Sequence, residues 1–291
     1  MNKITAHTPY KREDFRPHEI PSVEAWEWYT NKDGDVHIFE EWCLKDHVNY
    51  NGKIKIATLE EVPTIYEHAK QFDPNNTWTN PYEWIKDNHQ HFNYIMSCYT
   101  FLKDIVGEKY IWAPLQHSLI LREQIGLYEK EKLLSIIASA KTMTPGHRMR
   151  HEVINKYGKH MDIYGSGYNT ILNSYATTGK IIALAPYYFT IIIPNTNIDD
   201  FYSDQLTDAM LVGTVPIFCG TKNVGKHFNI DGIIQFNSVE ELENIIPTLN
   251  KQLYESKMDA IVENFEKAKH HDSAADWLYH NKKDFLENLS I

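Results

Sequence analysis

Cysteine is scarce in this chain: Cys43, Cys98 and Cys219 are the only three in 291 residues. They are widely spaced and form no Cys-x-x-Cys pair, which excludes a disulfide framework and predicts free thiols in a reducing compartment. No apolar run is long enough to span a bilayer. The opening MNKITAHTPYKRED lacks the apolar stretch of a signal peptide, so a soluble, cytoplasmic protein without a membrane anchor is expected. Positive charge is also short. Lysine and arginine number 29 against 39 aspartates and glutamates, a formal net charge of −10. That argues against nucleic acid as a partner, while a local basic pocket for a nucleotide stays compatible with it. Repeats and low-complexity segments are absent. The pair Gly165-Ser166-Gly167 has Thr170 where G-x-G-x-x-G needs its third glycine, so a redox dinucleotide site has little support.

What is present is a regular succession of strand-like and helix-like stretches. Hydrophobic residues make up 42% and aromatics 13% of the chain, enough core for one large or two medium domains. Residues 181–236 organise the rest. Within them, 187–193 is a β-branched and aromatic run closed by Pro194-Asn195, the pattern of a strand buried in a parallel sheet. A polar loop follows. Then Phe201, Leu206, Ala209 and Met210 recur at helical spacing behind a Ser203 cap, and 215–219 makes a second strand. Ligands of such sheets bind beyond the carboxyl ends of the strands, beside helix amino termini that favour anions. The segment 195–205 is therefore the first candidate site.

Elsewhere the chain offers several alternatives. Residues 52–59 read as a strand that ends at Glu60-Glu61-Val62-Pro63. A carboxylate there can lose solvation, gain proton affinity and act as a general base, or it can be a solvated surface glutamate. Trp78, Tyr82 and Trp84 suit either stacking on sugar rings or a core. Asp33-Gly34-Asp35 has the letters of a metal-binding D-x-D, but it precedes an apolar run and reads as a turn. His89 and His91 lack a third ligand. No metal site and no cofactor are expected. Residues 92–97 and 109–114 read as strands, 116–131 as a polar, helical link, and 132–139 as a new buried strand. A helix over 147–157 carries Arg148 and Arg150 in its first turn, where cations oppose the helix dipole. A diphosphate would explain them, since guanidinium grips phosphate bidentately; so would an ion pair with Glu152. Residues 272–289, with Trp277, read as a closing helix. The fold class that follows is α/β: two Rossmann-like αβα domains facing across a cleft, at 1–125 and 126–291.

The chain also resembles a family. Phe189-Thr190-Ile191…Asn195, then Phe201-Tyr202-Ser203-Asp204-Gln205-Leu206-Thr207-Asp208-Ala209, then Gly213-Thr214-Val215-Pro216-Ile217-Phe218-Cys219-Gly220 is similar to the signature of the α-1,3/4-fucosyltransferases, glycosyltransferase family 10. The resemblance covers roughly 35–240 and implies the GT-B fold. It implies an inverting, metal-independent transfer of L-fucose from GDP-fucose as donor substrate to a glycan acceptor. The Glu of the family's Glu-x-Pro segment maps onto Glu61 as catalytic base. The donor site maps onto Ser139, Arg148, Asn195, Phe201, Tyr202, Asp204 and Gln205, with Arg148 on the diphosphate. This chain departs from the pattern in having Asp204 for Glu, Gln205 for Lys, Phe201 for Tyr, Pro194 for Glu and Ala140 for Asn. Two other readings stay open: transfer from another GDP- or UDP-sugar, and an inactive nucleotide- or carbohydrate-binding module of the same fold.

Overall fold

The computed structural model describes residues 2–7, 26–30, 36–51, 54–66, 80–114, 118–168 and 177–271. Asp33-Gly34-Asp35, Trp78, Thr170 and the closing helix expected over 272–289 lie outside the described residues. The chain divides into two compact units, one built on 1–117 with 272–291 and the other on 118–271. That division falls earlier than the expected 125/126, and it groups the C-terminal tail with the first unit.

The first unit holds one parallel sheet of six strands: β1 (Asn2–His7), β2 (Trp26–Thr30), β3 (Val36–Glu40), β4 (Ile54–Leu59), β5 (Tyr94–Ser97) and β6 (Tyr110–Trp112). Their order is β2-β1-β3-β4-β5-β6. Every residue of β3 before Glu40 is buried, as are five of the six in β4, because a parallel sheet is covered on both faces. The register sets Glu40 beside Thr58 and Leu59 beside Ser97, so the carboxyl ends of β3, β4 and β5 come out together. Helix α1 (Pro81–Asn88) is capped by Asn80, whose side chain accepts from the N–H groups of Tyr82 and Glu83, and α2 spans Leu102–Val106. Tyr82 is a core residue on α1, and Trp84 packs on Phe92 and His47, so these aromatics serve the interior. Among the described residues no three metal-ligating side chains gather, and His91 instead stacks on His47.

The second unit repeats the plan with five parallel strands: β7 (Lys132–Ile137), β8 (Asp162–Tyr164), β9 (Tyr187–Ile192), β10 (Val215–Phe218) and β11 (Ile234–Gln235). Their order is β11-β10-β9-β7-β8. Counted within the unit this is the doubly wound order 2-1-3-4-5, whose direction reverses between β7 and β9. Its longer described helices are α3 (Pro145–Tyr157), α4 (Thr177–Leu184), α5 (Asp204–Leu211) and α6 (Met258–Ala268). Val153 and Tyr157, one turn apart on α3, join Leu134, Ile136, Phe189, Ile191, Val215 and Ile217 in one core.

The link to the second unit is not the expected helix. Residues 118–131 run as extended chain with one short 3-10 turn at Arg122–Gln124. Outside that turn several of their backbone groups find partners in other elements of the second unit: Leu119 N–H donates to Asp208 Oδ1, Gly126 N–H to Leu211 O, and Glu131 N–H to Pro186 O. Lys130 adds a buried ammonium that donates to Ala185 O, Val212 O and Thr214 Oγ1, and burial pushes its pKa down to about 7.

Candidate active site

The reversal between β7 and β9 opens a crevice at the carboxyl ends of the two strands, the place where doubly wound sheets hold ligands. Two loops line it. The loop after β7 holds Ser139, half-buried, and is pinned by Ala138 N–H to Tyr164 O and Ala140 N–H to Ser166 O. Gly165 and Gly167 permit this close packing. Gly165 sits at φ 115°, and a Cβ there would stand 1.9 Å from Ala138 O. The backbone that this Gly-x-Gly admits is therefore the Ser139 loop.

Helix α3 starts at the end of that loop. Thr144 caps it and pairs reciprocally with His147, and no acidic residue occupies the first turn. The His147 imidazole is pushed down to about 4 by burial and by the neighbouring Arg150, Lys141, His151 and Arg148 side chains, so it is neutral near pH 7. Because α3 begins at Pro145, earlier than expected, Arg148 and Arg150 lie beyond its first three residues. They do different things. Arg148 is exposed, and its Nη1 donates to the carbonyls of Thr142 (3.1 Å) and Met143 (3.2 Å), closing its own loop. Arg150 is 6% exposed; its Nη2 donates to Asn195 Oδ1 at 2.6 Å, and its Nε has no acceptor. Burial pushes the Arg150 pKa down to about 10 against the pull of Asp204. The buried cation of this crevice is thus Arg150 and not Arg148, for a geometric reason: residue 150 falls on the face of α3 that packs on the sheet.

The loop after β9 supplies the other wall. Asn195 holds Arg150 with its side chain and accepts from Gly146 N–H with its carbonyl at 3.2 Å. A Cβ on Gly146 would meet Pro194 O at 1.9 Å, so the start of α3 rests directly on the end of β9. Phe201 and Tyr202 are 1% and 5% exposed. Tyr202 packs on His227 and Phe228. The loop turns both rings into the core. Asp204 opens α5, and Gln205 follows it half-buried. Ser203 stands at the cap position but makes no capping bond, and its buried Oγ has no partner.

Lys180 on α4 was not anticipated. Its ammonium bridges the carboxylates of Asp204 and Asp208, and with 12% of its side chain exposed it is nearly enclosed. Burial works against its charge, but Asp204 and Asp208 outweigh it and hold its pKa above the ordinary lysine value. Asp208 is fully buried and also accepts from Ser118 Oγ at 2.7 Å. The only sign of this in the sequence is one charged residue in the eight-residue helix TTGKIIAL.

In the first unit, Glu61 follows β4, half-buried. Its N–H donates to Glu41 Oε1 at 2.5 Å, and its carbonyl accepts from Tyr82 OH at 2.6 Å. Glu41 also accepts from Glu60 N–H and Tyr66 OH.

The chain has counterparts among known proteins. Residues 127–277, more than half of the chain, match the sequence profile of glycosyltransferase family 10 (fucosyltransferase), C-terminal part. No curated protein sequence matches the chain. Among solved structures it is similar to an α1,3-fucosyltransferase with GDP-fucose, at 16% identity and TM-score 0.55, covering 100% of this chain and 91% of that one. It is also similar to Anabaena HepE in complex with UDP and glucose, at 10% identity and TM-score 0.57, covering 99% and 100%. A DNA-modifying β-glucosyltransferase follows, at 10% identity and TM-score 0.53, covering 98% of each chain. These likenesses show the fold, the GT-B type. No helix among the described residues is long and apolar enough to cross a membrane. With its profile matched over the unit that holds the Arg150 crevice, the chain belongs to glycosyltransferase family 10 and is a glycosyltransferase.

Proposed function

We propose that this glycosyltransferase transfers L-fucose from GDP-fucose to a hydroxyl of a glycan acceptor, with inversion. The observation that carries the reading is Arg150. A guanidinium buried at the reversal point of a doubly wound sheet, with an N–H lacking an acceptor, calls for an anion at that place. The amino terminus of α3, free of acidic residues, faces the same need. Arg150, Lys180 and these backbone N–H groups take the charge that grows on the departing diphosphate, which preorganised donors do without reorganisation. No metal is required for that. Lys180 supplies near Asp204 the cation that Gln205 lacks, and Ser203 Oγ and Asp204 bind donor hydroxyls. Glu61 acts as general base: it takes the acceptor's O–H proton as that oxygen bonds to the anomeric carbon and the bond to the diphosphate breaks.

The neutral Gln205 favours one competing reading, in which the donor is another nucleotide sugar. The deciding experiment measures binding and nucleotide release for GDP-fucose, GDP-mannose and UDP-glucose. Tight GDP-fucose binding with slow GDP release supports fucose transfer. Preference for another sugar nucleotide removes fucose and keeps transfer. Binding of none of them overturns the proposal.

A further inference from the structure

Among the described residues Asp200 is the one non-glycine with a positive φ, 61°, a left-handed conformation that costs an aspartate free energy. Such a conformation persists only where its surroundings enforce it, and here a neighbouring loop does so. β9 and β10 pair in parallel with Ile192 beside Phe218, so the loops that follow them leave the sheet side by side. The loop after β10 grips Asp200 by main chain and side chain together. The Asp200 N–H donates to Thr221 Oγ1 at 3.1 Å and to Asn223 Oδ1 at 3.0 Å. Its carboxylate accepts from Asn223 Nδ2 at 2.9 Å and from Lys226 Nζ at 3.2 Å, and His227 Nε2 lies 3.4 Å from it. The hydroxyl of Thr221, a fully buried residue, donates to Asn223 Oδ1, so the Asn223 amide presents its N–H to the carboxylate. Lys226 is 61% exposed and adds little; the Asn223 bridge, on a carboxylate only 16% exposed, is the stronger tie.

Asp200 sits in the middle of the loop that builds one wall of the crevice. On one side of it Asn195 holds Arg150 and the start of α3; on the other Ser203 and Asp204 begin α5. The turn at Asp200, closed by Phe201 N–H to Ile198 O at 3.1 Å, sends Phe201 and Tyr202 into the core, where Tyr202 packs on His227. We propose, resting on the donor-site reading above, that Asp200 is a positioning residue for donor binding. Tied to Thr221 and Asn223, it fixes the loop that carries Asn195 and Ser203, and so sets the affinity for the nucleotide without touching it. A loop held in place beforehand need not be ordered by the donor, which lowers the cost of binding.

The test titrates GDP by calorimetry into wild type, Asp200→Gly, Asp200→Asn and Asn223→Ala. Asp200→Gly removes the carboxylate but suits the left-handed backbone, which separates the grip from the strain. Asp200→Asn tolerates that backbone too and keeps an oxygen for Asn223. Asn223→Ala breaks the tie from the other loop. GDP affinity is expected to fall about tenfold in Asp200→Gly and in Asn223→Ala, and to stay within about threefold of wild type in Asp200→Asn. Combining Asp200→Gly with Asn223→Ala should weaken binding no further, because both remove the same tie. Where transfer is measured, Asp200→Gly raises donor KM about tenfold and leaves kcat at saturating donor unchanged. Hydrogen exchange without nucleotide reads the tie itself: amides of 196–203 exchange about tenfold faster in Asp200→Gly, and those of β9 and β10 do not change. Wild-type GDP affinity in Asp200→Gly and Asn223→Ala overturns the proposal, as does a double variant whose loss is the sum of the two. A wild-type protein that binds no GDP overturns the donor reading instead, and hydrogen exchange then decides alone whether Asp200 fixes the loop.

Discussion

Arg150 and Asn195 stand 45 positions apart and meet at 2.6 Å, Nη2 donating to Oδ1, where the second sheet reverses direction. Asn195 is also the residue whose carbonyl receives Gly146 N–H, so one asparagine fixes both the cation and the helix amino terminus. Side-chain and backbone contacts together hold the buried guanidinium and the start of α3 against the end of β9.

Gly146→Ala tests that arrangement. Its Cβ would lie 1.9 Å from Pro194 O, a backbone atom that cannot swing aside. The expected result is a loss of about 1–3 kcal/mol in denaturant unfolding, from overpacking, together with weaker nucleotide binding. Wild-type stability in the variant would mean that α3 does not rest on β9.

Lys180→Met leaves the carboxylate of Asp208 buried without its cation. Breaking such a pair from one side is expected to cost about 3–5 kcal/mol. Asp208→Asn in the same chain should recover most of that loss, because the uncompensated charge goes with it. Urea unfolding of the single and double variants gives the coupling energy directly.

Glu61→Gln tests the proposed base and keeps the shape. Transfer to the acceptor is expected to fall by about 10²–10⁴-fold while GDP affinity stays at the wild-type level. A variant that turns over normally would assign the base elsewhere.

Glu41 makes stability depend on pH with a definite sign. Its folded pKa, about 7, exceeds the ordinary 4.5. The stabilisation linked to its proton is therefore full below about 4.5 and is lost as pH rises through about 7. Glu41→Gln should flatten that fall. The difference between variant and wild type grows by about 1.4 kcal/mol per pH unit at most. Parallel stability curves from pH 4.5 to 7 would contradict the buried, titrating carboxyl.

Much of the fold was legible because β9 and β10 are buried on both faces and so read as unbroken apolar runs. The link 118–131 was misread as helix since its polar residues carry no trace of their partners, which lie in other elements of the second unit. The site was legible in part. Asn195 stands where β9 runs out into its loop and Asp204 where α5 begins, which local pattern shows. The choice between Arg148 and Arg150 was not visible, because residues two apart on a helix face different ways and only packing decides which is enclosed. Phe201 and Tyr202, expected at the ligand, have their rings in the core, a matter of loop path that composition does not encode. Lys180 and Glu41 bond to residues 24 and 20 positions away, beyond any local pattern.

The most direct test is calorimetric titration of GDP into wild type, Arg150→Met and Arg148→Met. The account predicts saturable binding to wild type. Arg150→Met should weaken it by roughly tenfold to a hundredfold, the worth of a charge-assisted hydrogen bond of about 1.5–3 kcal/mol, while Arg148→Met changes it little. Equal affinity in wild type and Arg150→Met, or a loss confined to Arg148→Met, would contradict it.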